Sequence, residues 1–193
     1  MNPGTILLDL AFASAIASGI ALFPAFRGRN PHRAGGPLFL AHTLLLVAAM
    51  GLLIEHFIAH RFQYVYVAQY SSRTLQPAMA VAASWAGQEG SLLLWALFGA
   101  LIGAALLRQP GQLARPALAI VGLMQAFLLY LVLARDPFRV SAVVPADGEG
   151  LNPLLNDPWM VAHPPLLFLG YAALVVPFAL AIAALARRAY DEW

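Results

Sequence analysis

An all-α polytopic membrane protein with about five transmembrane helices is the fold class this sequence predicts, and three observations predict it. Apolar residues make up 61% of the 193, charged residues 10%, and mean hydropathy is +0.74, more apolar surface than one soluble core of this size uses. The apolar residues fall into five long runs, at roughly 5–26, 38–58, 91–107, 116–134 and 165–186. Each reaches or approaches the ~20 residues that a helix rising about 1.5 Å per residue needs to cross a hydrocarbon core of ~30 Å. The arginines then alternate. Arg27, Arg29, Arg33, Arg108, Arg115, Arg187 and Arg188 flank the runs on one side, seven against the four of Arg61, Arg73, Arg135 and Arg139 on the other. By the positive-inside rule the N-terminus is outside and the C-terminus cytoplasmic. Residues 1–193 read as a single membrane domain.

The first run lacks a basic stretch before it, carries Asp9 inside it and has its arginines after it, the reverse of an export signal, so it is expected to remain as a helix. The second carries His42 near its inner end and Glu55, His56 and His60 at its outer end. His56 and His60 are one turn apart and suit a metal or a shared proton, although a pair without a third spaced ligand more often makes an interfacial polar cap. His42 is placed to reach a polar partner across the bundle, and His32 in a basic turn reads as solvated. The third helix, short by itself, is expected to begin near Trp85. In Trp85-Ala-Gly-Gln-Glu-Gly-Ser91 the glycines permit close backbone approach, and Glu89 needs a partner at an interface, for which Arg61, Arg73 or loop amides are the candidates. Gly99 and Gly103 give that helix a small-residue packing face. Linkers 27–37 and 108–115 are plain cytoplasmic turns built on proline and glycine. Pro177 is expected to kink the fifth helix unless neighbours satisfy the carbonyl it frees. Gln125 and Pro177 make a thin case for a transporter.

Function is to be sought in the long outer loops, 59–90 and 135–164. Arg135-Asp-Pro-Phe-Arg139 opens the second, and Leu151-Asn152-Pro-Leu-Leu-Asn-Asp157-Pro-Trp159 leads to His163. Prolines and Asn/Asp turn formers stiffen this loop, while Leu154, Leu155, Trp159 and Met160 keep it apolar enough to lie on a bilayer. A planar apolar ligand with acidic edges suits that surface, its ring against Trp159 and its acids near Arg135 or Arg139. His163 is followed by Pro164 and Pro165, read as the start of the fifth helix, where a missing N–H costs nothing. The prolines would fix the imidazole, and a fixed neutral imidazole is what an iron ligand requires. The plainer reading of His163 is an amphipathic interfacial residue. Cysteine is absent, so any thiol chemistry belongs to a partner. The net charge of +2 and pI near 9.3 come from short clusters without a basic stripe, which excludes nucleic acid as a partner.

Three stretches together, Trp85-Ala-Gly-Gln-Glu-Gly-Ser-Leu-Leu-Leu-Trp95, Asn152-Pro-Leu-Leu-Asn-Asp-Pro158 and His163-Pro-Pro-Leu-Leu-Phe-Leu-Gly-Tyr171, resemble the N-terminal portion of the heme lyase subunits of bacterial cytochrome c maturation, a heme-handling membrane protein family. The resemblance implies a multi-pass protein of the bacterial inner membrane that helps attach heme covalently to exported apocytochromes c at their Cys-x-x-Cys-His motifs. It implies a periplasmic heme chaperone as donor, and other lyase subunits or segments as further partners. By it, His163 matches the first of two periplasmic histidines that ligate the incoming heme iron. Trp85, Glu89, Asn152, Asp157, Pro164 and Pro165 are motif positions without assigned chemistry, and no residue of the chain is assigned as catalytic. Family members commonly carry histidine where this chain has Gln88, so that position is given no role. Trp193 precedes the family's tryptophan-rich segment, its second periplasmic histidine and both histidines that hold heme b, about two thirds of a usual lyase. The chain is therefore expected to be inactive alone, whether as a piece of a longer lyase or as one subunit of a split one. The alternative is a non-catalytic scaffold subunit associated with heme or quinone.

Overall fold

A computed structural model describes residues 2–191, so Met1, Glu192 and Trp193, at the ends of the domain expected from sequence, lie outside the described residues. Among the described residues the regular elements are all helices. Five helices are long and apolar enough to cross a membrane: α1 (Pro3–Leu22), continued by a 3-10 turn to Arg27, α2 (Gly35–Ile58), α5 (Gln88–Leu106), α6 (Ala114–Arg135) and α7 (Pro158–Arg187). Two short helices, α3 (Val65–Tyr70) and α4 (Pro77–Ala83), lie between α2 and α5. The five runs expected from sequence are the five long helices, with ends displaced by up to seven residues.

α1 packs on α2 and α6, α5 sits among α2, α6 and α7, and α7 closes one side against α5 and α6. Small residues bring the helices together. Gly103 lies under the Phe39 ring and Val121, and Gly99 lies under the Gln125 amide, each where a Cβ would collide. Several polar groups within the bundle find partners, although Nε2 of His42 and Oε1 of Gln125 have none among the described residues. The Ser18 hydroxyl donates to Gly35 O at 2.8 Å, Thr43 donates to Phe39 O at 2.9 Å, and Nδ1 of His42 lies 3.0 Å from Ala11 O on α1. Both long loops, the N-terminus of α1 and the start of α7 emerge on one face, the loop face. Seven arginines mark the other, where Arg187 donates to Ala25 O at 2.9 Å and to Gln112 at 3.2 Å.

α7 differs from its expected form. It begins at Pro158, seven residues before 165, so Trp159, His163, Pro164 and Pro165 lie inside the helix and not in a loop before it. Two local causes account for this. The Asp157 carboxylate caps the start, accepting from Trp159 N at 2.8 Å and Met160 N at 3.4 Å, and Pro158 takes the first helical position, whose N–H would be unsatisfied anyway. Pro164 and Pro165 are thus interior prolines, which leave the carbonyls of Met160 and Val161 without their helical donors. Likewise α5 begins at Gln88, with Gly87 as its cap, so Trp85 precedes the helix.

Candidate functional site

The loop face is one interlocked layer. Tyr64 and Val140 form an antiparallel bridge, with Val65 N donating to Arg139 O at 2.9 Å and Ser141 N to Gln63 O at 2.8 Å. Further along, Glu149 N donates to Ala68 O and Gly150 N to Ser71 O. Arg73 joins the same seam: its backbone N–H donates to Asp147 at 2.9 Å and its guanidinium to Ala146 O at 3.0 Å, with the cation over the Phe62 ring. The N–H groups of Arg73 and Gly148 hold the Asp147 carboxyl below the usual carboxylate range. Residues 146–150, the centre of the second loop, are therefore pinned by four backbone and side-chain bonds to the first loop. Asn2 and Asp136 complete the layer. Asn2 caps α1 and donates to Phe138 O at 2.6 Å, while Asp136, in a left-handed conformation at φ 42°, accepts from Phe138 N.

Inside this layer the stretch from Trp85 to Ser91 wraps the hydroxyl of Tyr66. That oxygen accepts from Gly87 N at 3.0 Å and donates among the carbonyls of Ser84, Ala83 and Gly87, the shortest at 3.2 Å. A Cβ on Gly87 would enter the Tyr66 and Tyr70 rings, and one on Gly90 would enter the Ser84 carbonyl. The glycines are thus required by close approach. Burial pushes the Tyr66 phenol well above its ordinary range. Ser91 closes the turn by donating to Trp85 O at 2.8 Å, and the Trp85 indole donates across to Val161 O of α7 at 3.2 Å.

On α7, Trp159, His163, Leu166 and Gly170 follow one another at helical spacing along one exposed stripe. Trp159 is 82% exposed and Leu166 68%, and no atom lies within 4 Å of a Cβ added at Gly170. His163 is exposed in the middle of it. Trp159 and His163 are brought together, one turn apart. Arg135 and Arg139 are exposed on the same face, but no hydrogen bond, ion pair or ring contact joins either side chain to that stripe among the described residues. Asn152 caps the 3-10 turn Pro153–Asn156 that leads into the Asp157 cap. Glu89 is half-buried in the first turn of α5 and pairs with neither expected arginine: Arg61 takes Glu55 at 3.3 Å and Arg73 takes the loop. The positive end of α5 supplies what the arginines do not. His56 stacks on Tyr64 at 4.1 Å between ring centroids, and His60, at φ 50° beyond the helix, lies 3.3 Å from the Ser71 hydroxyl. Among the described residues no three His, Cys, Asp or Glu side chains gather as a metal site.

The roles of Tyr66 and of the Arg73–Asp147 seam escaped the sequence reading. The only trace of the first is a run of alternating aromatics, Tyr64, Tyr66 and Tyr70, in what reads as a loop. The second joins residues 74 apart.

Five helices of membrane-spanning length, roofed by a hydrogen-bonded loop layer and with an imidazole exposed near the start of α7, define a polytopic membrane protein. Residues 85–192 match the sequence model of the family described as Cytochrome C assembly protein, and the match begins at Trp85. The chain belongs to that family. It is 42% identical over 158 residues, 79% of the chain, to the "Probable cytochrome c-type biogenesis protein NrfE" of Escherichia coli K12. It is 38% identical over 193 residues, 95% of the chain, to the "Cytochrome c-type biogenesis protein CcmF" of the same organism. A solved structure titled "Cytochrome c Heme Lyase CcmF" superposes with a TM-score of 0.76 at 29% identity over 97% of the chain. The chain spans 28% and 30% of those two relatives and 31% of the solved one.

Proposed function

We propose that this chain is the heme-presenting N-terminal part of a cytochrome c heme lyase in the bacterial inner membrane, with its loop face in the periplasm. His163 is the axial ligand to the iron of incoming heme, which here is substrate. One observation carries the reading: His163 stands exposed in a helical turn that an Asp157 cap and a bond from Trp85 hold in place. A neutral imidazole so held offers a lone pair in a fixed direction. Trp159, one turn before, offers an aromatic face, and Leu166 with the open space at Gly170 leaves the stripe flat enough for a planar ring. Arg135 and Arg139 supply positive charge on the same face for acidic substituents.

The donor is a periplasmic heme chaperone, and the acceptor is an apocytochrome c bearing Cys-x-x-Cys-His. The covalent step adds each cysteine S–H across a heme vinyl group, and this chain's part in it is to bind and orient. Intramembrane heme b has its ligands elsewhere in the assembly. The outward orientation rests on the seven-to-four distribution of arginines.

The test is holocytochrome c yield in cells carrying the complete assembly with His163→Ala, with the membrane level of the chain followed in parallel. Loss of covalent attachment at normal protein level is expected. Unchanged yield would end the ligand assignment and favour a scaffold.

A further inference from the structure

In a regular helix the carbonyl of Val161 accepts from the N–H of residue 165, which here is proline. Pro164 removes the donor for Met160 in the same way. Two consecutive carbonyls are therefore released in the turn that carries His163, and a helix without two successive bonds can hinge there. The Trp85 indole N–H fills one vacancy, donating to Val161 O at 3.2 Å across 76 residues of sequence. Its own position is fixed on the other side. Trp85 N donates to Ala82 O at 3.2 Å, its carbonyl accepts from Ser91 at 2.8 Å, and the turn around it closes on the Tyr66 hydroxyl. A cleft of about 30 Å³ lies beside this bond, between Trp85, Leu155 and Pro164.

We propose that Trp85 is a positioning residue for His163: its indole N–H replaces the donor that Pro165 removes at Val161, and so locks the exposed imidazole's turn to the rigid loop layer. The geometry stands by itself, while its consequence for heme rests on the reading of His163 as ligand. The prolines keep the turn from being a self-sufficient helix, and the motif before α5 completes it. The opening of α5 and the first turns of α7 then act as one device, although they are far apart in the chain.

The test exploits the absence of cysteine. Ala162→Cys, at an exposed position beside His163, carries a nitroxide label in membranes containing the complete assembly, with any cysteines of the other segments replaced and apocytochrome c left out. Trp85→Phe keeps an aromatic ring and removes the N–H. It should shorten the label's rotational correlation time by about twofold or more, because the turn then opens locally. Pro165→Ala restores the helix's own donor, so in that background Trp85→Phe should leave the label unchanged. An unchanged label with Pro165 present, or equal loosening in both backgrounds, would overturn the proposal, the second because it marks a general packing defect. Holocytochrome yield from His163→Ala separates the two readings: a label that responds as expected while that yield stays normal upholds the positioning and ends the ligand role of His163.

Discussion

One phenolic hydroxyl holds together the stretch that opens α5, and its removal tests how tightly the site is built. Tyr66→Phe leaves Gly87 N without its acceptor in a buried turn, which should destabilise the protein by about 1–3 kcal/mol, measured by thermal unfolding in detergent. The pH dependence has a definite sign. Burial raises the folded-state value of this phenol above its unfolded value near ~10, so the folded chain holds the proton more tightly. That contribution is complete below about pH 10 and is lost as pH rises through the raised value. Wild type should therefore lose stability in alkali more steeply than Tyr66→Phe, and equal slopes would count against the hub. Gly90→Ala drives a Cβ into the Ser84 carbonyl and should abolish accumulation of folded protein, seen as loss of the chain from membranes. These demands were only partly legible. The two glycines could be read as sites of close approach, but what approaches them was hidden, because Tyr66 lies in a separate helix 21 residues before Gly87.

At the scale of elements, the two long loops are one structure, and their seam is predicted to protect both. Asp147 accepts from Arg73 N and Gly148 N, and these bonds depress its carboxyl. The sign is opposite to that of Tyr66: the contribution is present above the ordinary carboxylate value near ~4 and is lost as pH falls through the depressed one. Asp147→Ala should therefore speed proteolytic nicking within 141–150, and in wild type the protection should persist at mildly acidic pH. The helices themselves were legible from hydropathy because each must satisfy its backbone internally in lipid. Their ends were not. α7 starts at Pro158 because Asp157 caps it, whereas the Pro164-Pro165 pair reads locally as a helix start. The carbonyl that interior Pro165 frees is satisfied by a tertiary donor, Trp85, which no local rule reveals.

For the whole molecule, α7 is the least enclosed span. Only 17% of its most apolar window is buried, against 56% for α6, and Leu174, Phe178 and Leu185 project outward. Together with a chain that spans about 30% of its relatives, this predicts that the purified chain alone attaches no heme to an apocytochrome while the complete assembly does; turnover by the isolated chain would refute the division of labour proposed above. The sequence by itself determined the class of molecule, the five spans and the two loops worth attention, because membrane thickness and the cost of burying charge act on each segment independently. Its three stretches also carried the family. Only the tertiary structure decided how these stretches are joined: Gly87 N donates to the Tyr66 hydroxyl and the Trp85 indole to the Val161 carbonyl, bonds between residues 21 and 76 apart. Such bonds depend on where the helices bring the chain back, and that is set by packing of the whole bundle and not by any local pattern.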